Sequence, residues 1–255
     1  MSGAVQDGFG GGTDVLATSP LSDAREGDAA RLRDRMNTAA FAFAGIGGLL
    51  IAVATIMIWG ARLSLRKNSY VSGLGATGEV TATVFNAALL MVAVGGLSLA
   101  IAMRRAAVVA RRAAPVPVGR RPAAALLTPW VLIAASSLCF FVASQVTCTY
   151  ECPIPSSPAF TIQDASHISV AVLGFALACL AMGVAALRSS DRAVRIGSWT
   201  AGITVAVVAG IGGLLSLAEI GVQVGSWLEF VAMTVALAWL VGYGFAEAMR
   251  TRPPL

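Results

Sequence analysis

The chain has 255 residues, of which 57% are hydrophobic and only 12% charged, and its mean hydropathy is +0.78. A soluble domain cannot keep its surface wet with so few charges, so the composition describes a protein whose solvent is a lipid bilayer. The formal net charge of +5 does not point to nucleic acid, because the basic residues fall in short runs between apolar stretches, as topology signals do.

In chain order, residues 1–38 come first, rich in Gly, Asp and Ser and without apolar periodicity, which reads as a disordered cytoplasmic tail. Within it, Ala24 to Met36 interleaves Arg25, Arg31, Arg33 and Arg35 with Glu26, Asp28 and Asp34. A short juxtamembrane helix is the alternative there, although mixed charges weaken attraction to anionic lipid. The leader is too long and too charged for a secretory signal peptide.

Six apolar runs follow, at Ala39 to Gly60, Thr81 to Met103, Leu126 to Thr147, Ile168 to Leu187, Ile196 to Ala218 and Trp227 to Met249. Each is close to the roughly 20 residues that a spanning helix needs. The expected fold is therefore an all-α membrane protein, a bundle of six transmembrane helices over residues 39–249, with residues 250–255 as a second tail. Of the 18 Lys and Arg residues, 15 fall on the tails and the second and fourth loops, against Arg62, Arg66 and Lys67 on the other face. That positive-inside bias predicts cytoplasmic N- and C-termini in the cell membrane. The first loop, the third loop and the short fifth loop are then expected outside.

Two helices carry small residues every fourth position: Ala40, Ala44, Gly48 and Ala52 in the first, Ser198, Gly202, Ala206 and Gly210 in the fifth. Such stripes are expected to face neighbouring helices. No repeat supports two inverted transporter halves.

Polar chemistry is concentrated in the third loop. Cys148 and Cys152 lie on the oxidising side, and their spacing in a non-helical loop lets them form a local disulfide; free thiols, or a metal pair completed from Glu151, Asp164 and His167, are the alternatives. Cys139 and Cys179 lie inside spans and read as small core residues. His167, the one histidine, opens the fourth helix with Asp164 one turn earlier. Below His167 the positions Ala171, Gly174, Ala178 and Ala181 form a small-residue face, which turns the imidazole into the bundle. Asp164 suits a helix N-terminus, so the pair is either a capped helix start or a titrating site at the outer mouth.

Glu229 and Glu247 bracket the sixth helix. Glu247 has Arg250 three residues on and is expected to form an edge ion pair. Glu229 lies just inside Trp227, with Glu219 as a neighbour, and is either a snorkelling side chain or an intramembrane functional group. In the first loop Gly73 and Gly75 permit a tight turn, and Asn86 is expected to hydrogen-bond across to another helix. Ser72 lacks the Gly-x-Ser-x-Gly elbow of a nucleophile.

Tyr70-Val-Ser-Gly-Leu-Gly-Ala76 before a span opening Val84-Phe-Asn86, a Cys-Pro loop, and Asp164-x-x-His167 together resemble the bacterial and archaeal membrane family numbered 998 among domains of unknown function. That family is similar to the Frag, DRAM and Sfk-type six-helix membrane proteins. The resemblance covers residues 39–249 and implies the six-helix fold, with Ser72, Leu74, Gly75, Ala76, Asn86, Asp164 and His167 as its motif positions. The chain departs from the pattern at Gly73, where an acidic residue is expected.

Two function classes remain. One is a non-enzymatic scaffold or regulator of membrane lipid organisation or of a partner membrane protein, with no cofactor and no metal. The other is a membrane-embedded transporter or lipid-acting enzyme with an outward-facing site built from Ser72, Asn86, Asp164, His167 and Glu229. Their convergence in one cavity is the structural feature that separates the two.

Overall fold

Helix formation follows the apolar runs. A computed structural model describes residues 20–67, 69–113, 127–218 and 220–250, and among these every long element is an α-helix. They are α1 (Pro20–Ser64), α2 (Ala82–Ala113), α3 (Pro129–Gln145), α4 (Ile162–Arg188), α5 (Arg192–Leu217) and α6 (Val222–Met249), with one 3-10 turn, Ser72–Gly75, between α1 and α2. Among the described residues five segments are long and apolar enough to cross a membrane: Asp34–Ser64, Ala82–Arg111, Ile162–Arg188, Arg192–Leu217 and Val222–Met249. The exception is α3, whose 17 residues rise about 25 Å. The chain divides into two units, Met1–Arg35 and Met36–Leu255. In the first, residues 20–35 are helical, so the later half of the expected flexible tail is part of α1, and residues 1–19 lie outside the described residues.

Other boundaries also differ from the sequence expectation: α1 ends at Ser64 and not Gly60, α5 starts at Arg192 and not Ile196, and α6 starts at Val222 and not Trp227; two more differ for a clear local reason. Helix α4 begins at Ile162, not near Ile168, because Thr161 and Asp164 close a capping box across its first turn. Helix α2 continues beyond Met103 through Arg104, Arg105 and Arg111, strong helix formers that hydropathy alone trims away.

Within the main unit α2 packs on α3 and α6, α3 on α4, α4 on α5, and α5 on α6. Helix α1 meets α2 and α6: a methyl group built on Gly47 would lie 2.7 Å from the Gly95 carbonyl oxygen, and one on Gly48 would lie 2.8 Å from the Phe245 ring. The α1–α2 crossing is thus a backbone-to-backbone approach that only glycine permits. Ile51, Ile58, Leu99, Phe230 and Met182 fill the interior. Ile56, Leu63 and Leu187 point away from it, 72, 73 and 74% exposed, an arrangement water penalises and lipid does not.

The small-residue stripes hold only in part. Ala40, Ala44 and Gly48 pack inward but Ala52 is exposed; Ser198 and Gly202 meet neighbours, Gly202 against Met182, while Ala206 and Gly210 are exposed. At 3.6 residues per turn a four-residue repeat advances about 40° each step, so three steps rotate it off the buried face.

Among the described residues, side-chain hydrogen bonds tie particular helix pairs together. Trp59 Nε1 donates to Thr234 Oγ1 at 3.1 Å, Trp239 Nε1 to Ser198 Oγ at 3.0 Å, and Ser136 Oγ to the Gly174 carbonyl at 2.8 Å.

Candidate functional site

The third loop is folded onto the start of α4 by a single carboxylate. Asp164 is 0% exposed and collects four donors. The backbone N–H of Thr149 reaches it at 2.7 Å and that of Thr161 at 3.0 Å; the hydroxyls donate at 2.9 Å from Thr149 and 2.6 Å from Thr161. Thr161 Oγ1 accepts the Asp164 N–H in return at 3.3 Å. The carboxylate also faces the unpaired N–H groups and positive dipole end of α4. All four donors come from the chain on either side of the loop, so the carboxylate is spent on closing it.

His167 stands one turn below, 3% exposed, with Nδ1 2.5 Å from the carbonyl oxygen of Val146 at the end of α3. A carbonyl only accepts, so Nδ1 carries the proton and the ring ties α4 to α3. The face predicted beneath it is inward: Gly174 sits against Cys139 and Phe140, and Ala181 is fully buried. Cys148 and Cys152 are joined in a disulfide with a Cα separation of 4.9 Å. Its turn holds Glu151 and Cys152 at φ of 62° and 52°, left-handed backbone that the ring of covalent and hydrogen bonds enforces. The Cys148 carbonyl accepts from both the N–H and the hydroxyl of Thr77, at 3.0 and 2.9 Å, which ties the third loop to the first.

In the first loop, Gly75 and Asn86 fit each other. Asn86 Nδ2 donates to the Gly75 carbonyl at 3.1 Å, and a methyl group on Gly75 would lie 2.5 Å from Asn86 Oδ1. Asn86 therefore bonds back to the turn before its own helix and not across to another helix, because that turn already lies over its side chain. Ser72 opens the 3-10 turn, whose Leu74 is buried and whose Leu74 carbonyl accepts from Thr81 Oγ1 at 2.8 Å.

Glu229, on the second turn of α6, accepts from the Val71 N–H at 3.0 Å. Beside it the Tyr70 hydroxyl is buried without a hydrogen-bond partner and packs against Gly225. Arg62 at the end of α1 is 6% exposed, its guanidinium 5.0 Å from the Trp227 ring centre. Lys67 pairs with Glu79 at 2.5 Å and with Glu151 at 3.5 Å, linking the first loop to the disulfide turn. Its ammonium pKa is raised above the ordinary 10.5, chiefly by the hydrogen bond to Glu79.

The five residues singled out from the sequence thus lie at one end of the bundle but do not form one constellation. Asp164 and His167 are on adjacent turns of α4, Ser72 and Asn86 belong to the first loop and α2, and Glu229 belongs to α6. Among the described residues no hydrogen bond joins any two of them: each polar group with a partner holds loop backbone or a loop threonine. Glu219, expected beside Glu229, lies outside the described residues. No three of His, Cys, Asp and Glu come together as metal ligands among the described residues.

Sequence reasoning missed the threonines. Thr161-Ile-Gln-Asp164 has the Ser/Thr-x-x-acid spacing of a capping box, a signal that would have placed the start of α4. It also read the arginines only as topology markers. A pocket of about 170 Å³ lies at the opposite end of the bundle, lined by Arg111, Arg188 and Arg250, and none of the five residues lines it. The expected ion pair is there, Arg250 Nη1 donating to Glu247 at 2.7 Å.

Fold and surface together define a class: among the described residues, a helical protein with five helices long and apolar enough to cross a membrane and apolar side chains turned outward. No family model, no curated protein and no solved structure matches the chain.

Proposed function

We propose that the chain is a six-span integral protein of the cell membrane with both termini in the cytoplasm, and that it is a non-enzymatic scaffold or regulator of membrane lipid organisation or of a partner membrane protein. The observation that carries this reading is the use made of Asp164 and His167, which are buried and committed to the backbone of the loop they hold. A proton-transfer group must be within reach of a substrate, and these two face their own chain. The arginine asymmetry supports the orientation, and α3, packed between α2 and α4, is the sixth span on this reading. The resemblance to the family numbered 998 among domains of unknown function agrees with the six-helix bundle.

Substituting Asp164 and His167 separately, with abundance followed by immunoblot and lipid composition by mass spectrometry, tests the role. Lower abundance accompanied by proportionate loss of function is expected; full abundance with a changed lipid profile would refute the structural role. A reporter fused after Leu255 is expected to be active in the cytoplasm, and activity only outside the cell would overturn the orientation.

A transporter or lipid-acting enzyme is favoured by one observation, the Glu229 carboxylate of α6 and the Tyr70 hydroxyl of the first loop, which is buried without a hydrogen-bond partner against Gly225 of the same helix. Glu229→Gln decides between the two: normal abundance with loss of function selects that second reading.

A further inference from the structure

The polar groups at the Arg250 end behave differently from those around Cys148. Here the ends of α2, α3, α4 and α6 surround an open pocket of about 170 Å³. Its lining mixes apolar Met103, Ala107 and Ala185 with the buried polar groups of Thr128, Ser189 and Tyr243, and it carries three guanidinium groups, Arg111, Arg188 and Arg250, with the carboxylate of Glu247. That carboxylate is held by Arg250 at 2.7 Å, and Arg250 is braced further by donating from Nη2 to Ser189 Oγ at 2.8 Å. Asp191, 4.0 Å from Arg250, is occupied by the N–H groups of Ala193 and Val194, which it caps at 2.8 and 3.3 Å. Among the described residues the pocket and its edge thus carry three guanidinium groups against the two carboxylates of Glu247 and Asp191. Trp130, at the first turn of α3, lines the same pocket, where aromatic rings mark the boundary between hydrocarbon and head groups.

A partly apolar lining at the end of the spans beside several arginines suits a phospholipid: a phosphate for the planar, forked guanidinium donors and acyl chain for Met103, Ala107 and Ala185. Basic pockets between transmembrane helices on the cytoplasmic side bind anionic head groups in this way. We propose that this pocket binds the phosphate head group of an anionic phospholipid, with Arg111 as its principal donor and Arg250, paired with Glu247 and bonded to Ser189, beside it. The proposal deepens the reading of the chain as a lipid-organising membrane protein and rests on it only in requiring a bilayer; it is indifferent to which face is cytoplasmic.

The test uses the full chain in phosphatidylcholine nanodiscs, with phosphatidylglycerol titrated in and bound lipid counted by mass spectrometry of the released complex. A parallel arm adds inorganic phosphate to nanodiscs without anionic lipid. Saturable retention of phosphatidylglycerol is expected, weakened about tenfold in Arg111→Gln, the loss of one charge-assisted hydrogen bond. Glu247→Gln, which removes the rim carboxylate, is expected to tighten it. Arg195→Gln, the same charge loss at an exposed residue outside the pocket, is the control and is expected to bind as the parent does. Arg111-dependent binding only in the lipid arm assigns the phosphate to a bilayer lipid, and equal binding of inorganic phosphate assigns it to a soluble ion in the same site. Equal losses in Arg111→Gln and Arg195→Gln, or no saturable binding in either arm, would overturn the site. Because nanodiscs expose both faces, a failure here is distinct from a failure of the orientation or of the role assigned to Asp164.

Discussion

Removing the Asp164 carboxylate leaves two backbone N–H groups, those of Thr149 and Thr161, without their acceptor, while the two threonine hydroxyls can rotate to other partners. A buried donor left unpaired costs about 1–3 kcal/mol, and relief of the buried charge returns part of that, so Asp164→Ala is expected to destabilise the fold by about 2–4 kcal/mol. Asp164→Asn keeps the shape and one acceptor but turns an amide N–H toward the other donor, which halves the loss to about 1–2 kcal/mol. Thr161→Ala gives up only the hydroxyl of the cap, about 1 kcal/mol, because its own N–H still reaches Asp164. The ranking Asp164→Ala, then Asp164→Asn, then Thr161→Ala follows from where the donors sit. Denaturant unfolding in mixed micelles, followed by tryptophan fluorescence, measures it. In the Asp164→Ala background, Thr149→Ala is expected to cost almost nothing more, since their contact is already gone. An Asp164→Ala protein within about 0.5 kcal/mol of the parent, a change typical of a surface site, would refute the idea that this carboxylate closes the loop.

Three other outcomes check separate parts of the fold. Gly47→Ala is expected to cost about 1–3 kcal/mol because its methyl would press on the Gly95 carbonyl, whereas Gly45→Ala, which meets no neighbouring atom, is expected to be neutral or to gain up to about 1 kcal/mol from helix propensity; the same unfolding assay reads the opposite signs. Replacing both Cys148 and Cys152 by serine is expected to cost about 2 kcal/mol through the entropy of the short loop they close, and labelling by a membrane-impermeant maleimide is expected only after reduction. Lys67 has a pKa raised in the folded chain, so its contribution is fully present below the ordinary 10.5 and is lost as pH rises through the higher folded value. Half-exposed and salt-screened, it is worth at most about 1 kcal/mol, and Lys67→Gln is expected to remove the stability difference between neutral pH and pH above that value.

The helical part of this architecture was legible because hydropathy reports it directly. Residues such as Ile51, Leu99 and Phe230 occur in long apolar runs, and a run of that length has few alternatives to a helix in lipid. Helix ends were less legible, since they depend on capping and on charged helix formers that hydropathy counts as breaks. Thr161 and Asp164 extend α4 upward, and Arg104, Arg105 and Arg111 lie on the continuation of α2. The inward direction of His167 was legible from the small residues beneath it. Its partner was not, because Val146 contributes a backbone carbonyl and any residue type could have provided one. Asn86 failed for the same reason: its partner is the backbone of a turn, Gly75, which sequence periodicity does not place.

The contrast between the two ends changes where a ligand should be sought. Histidine and carboxylates in a membrane protein attract attention because they are rare and costly to bury. Around Cys148 that cost is offset internally: Asp164 is surrounded by donors from its own loop, and His167 Nδ1 reaches a helix-end carbonyl. Arginine attracts less attention, since a basic cluster at the end of a span is explained by topology alone. Topology, however, requires only that the charges lie on one side, and does not require them to converge. Arg111 on α2, Arg188 on α4 and Arg250 just beyond α6 line one cavity that is partly apolar. Charge that served orientation alone would gain nothing from lining one cavity and would incur the mutual repulsion of like groups around it. An anion of complementary shape reverses the sign of that repulsion, which makes the arginine end, and not the histidine end, the place where this fold has most to gain from a ligand.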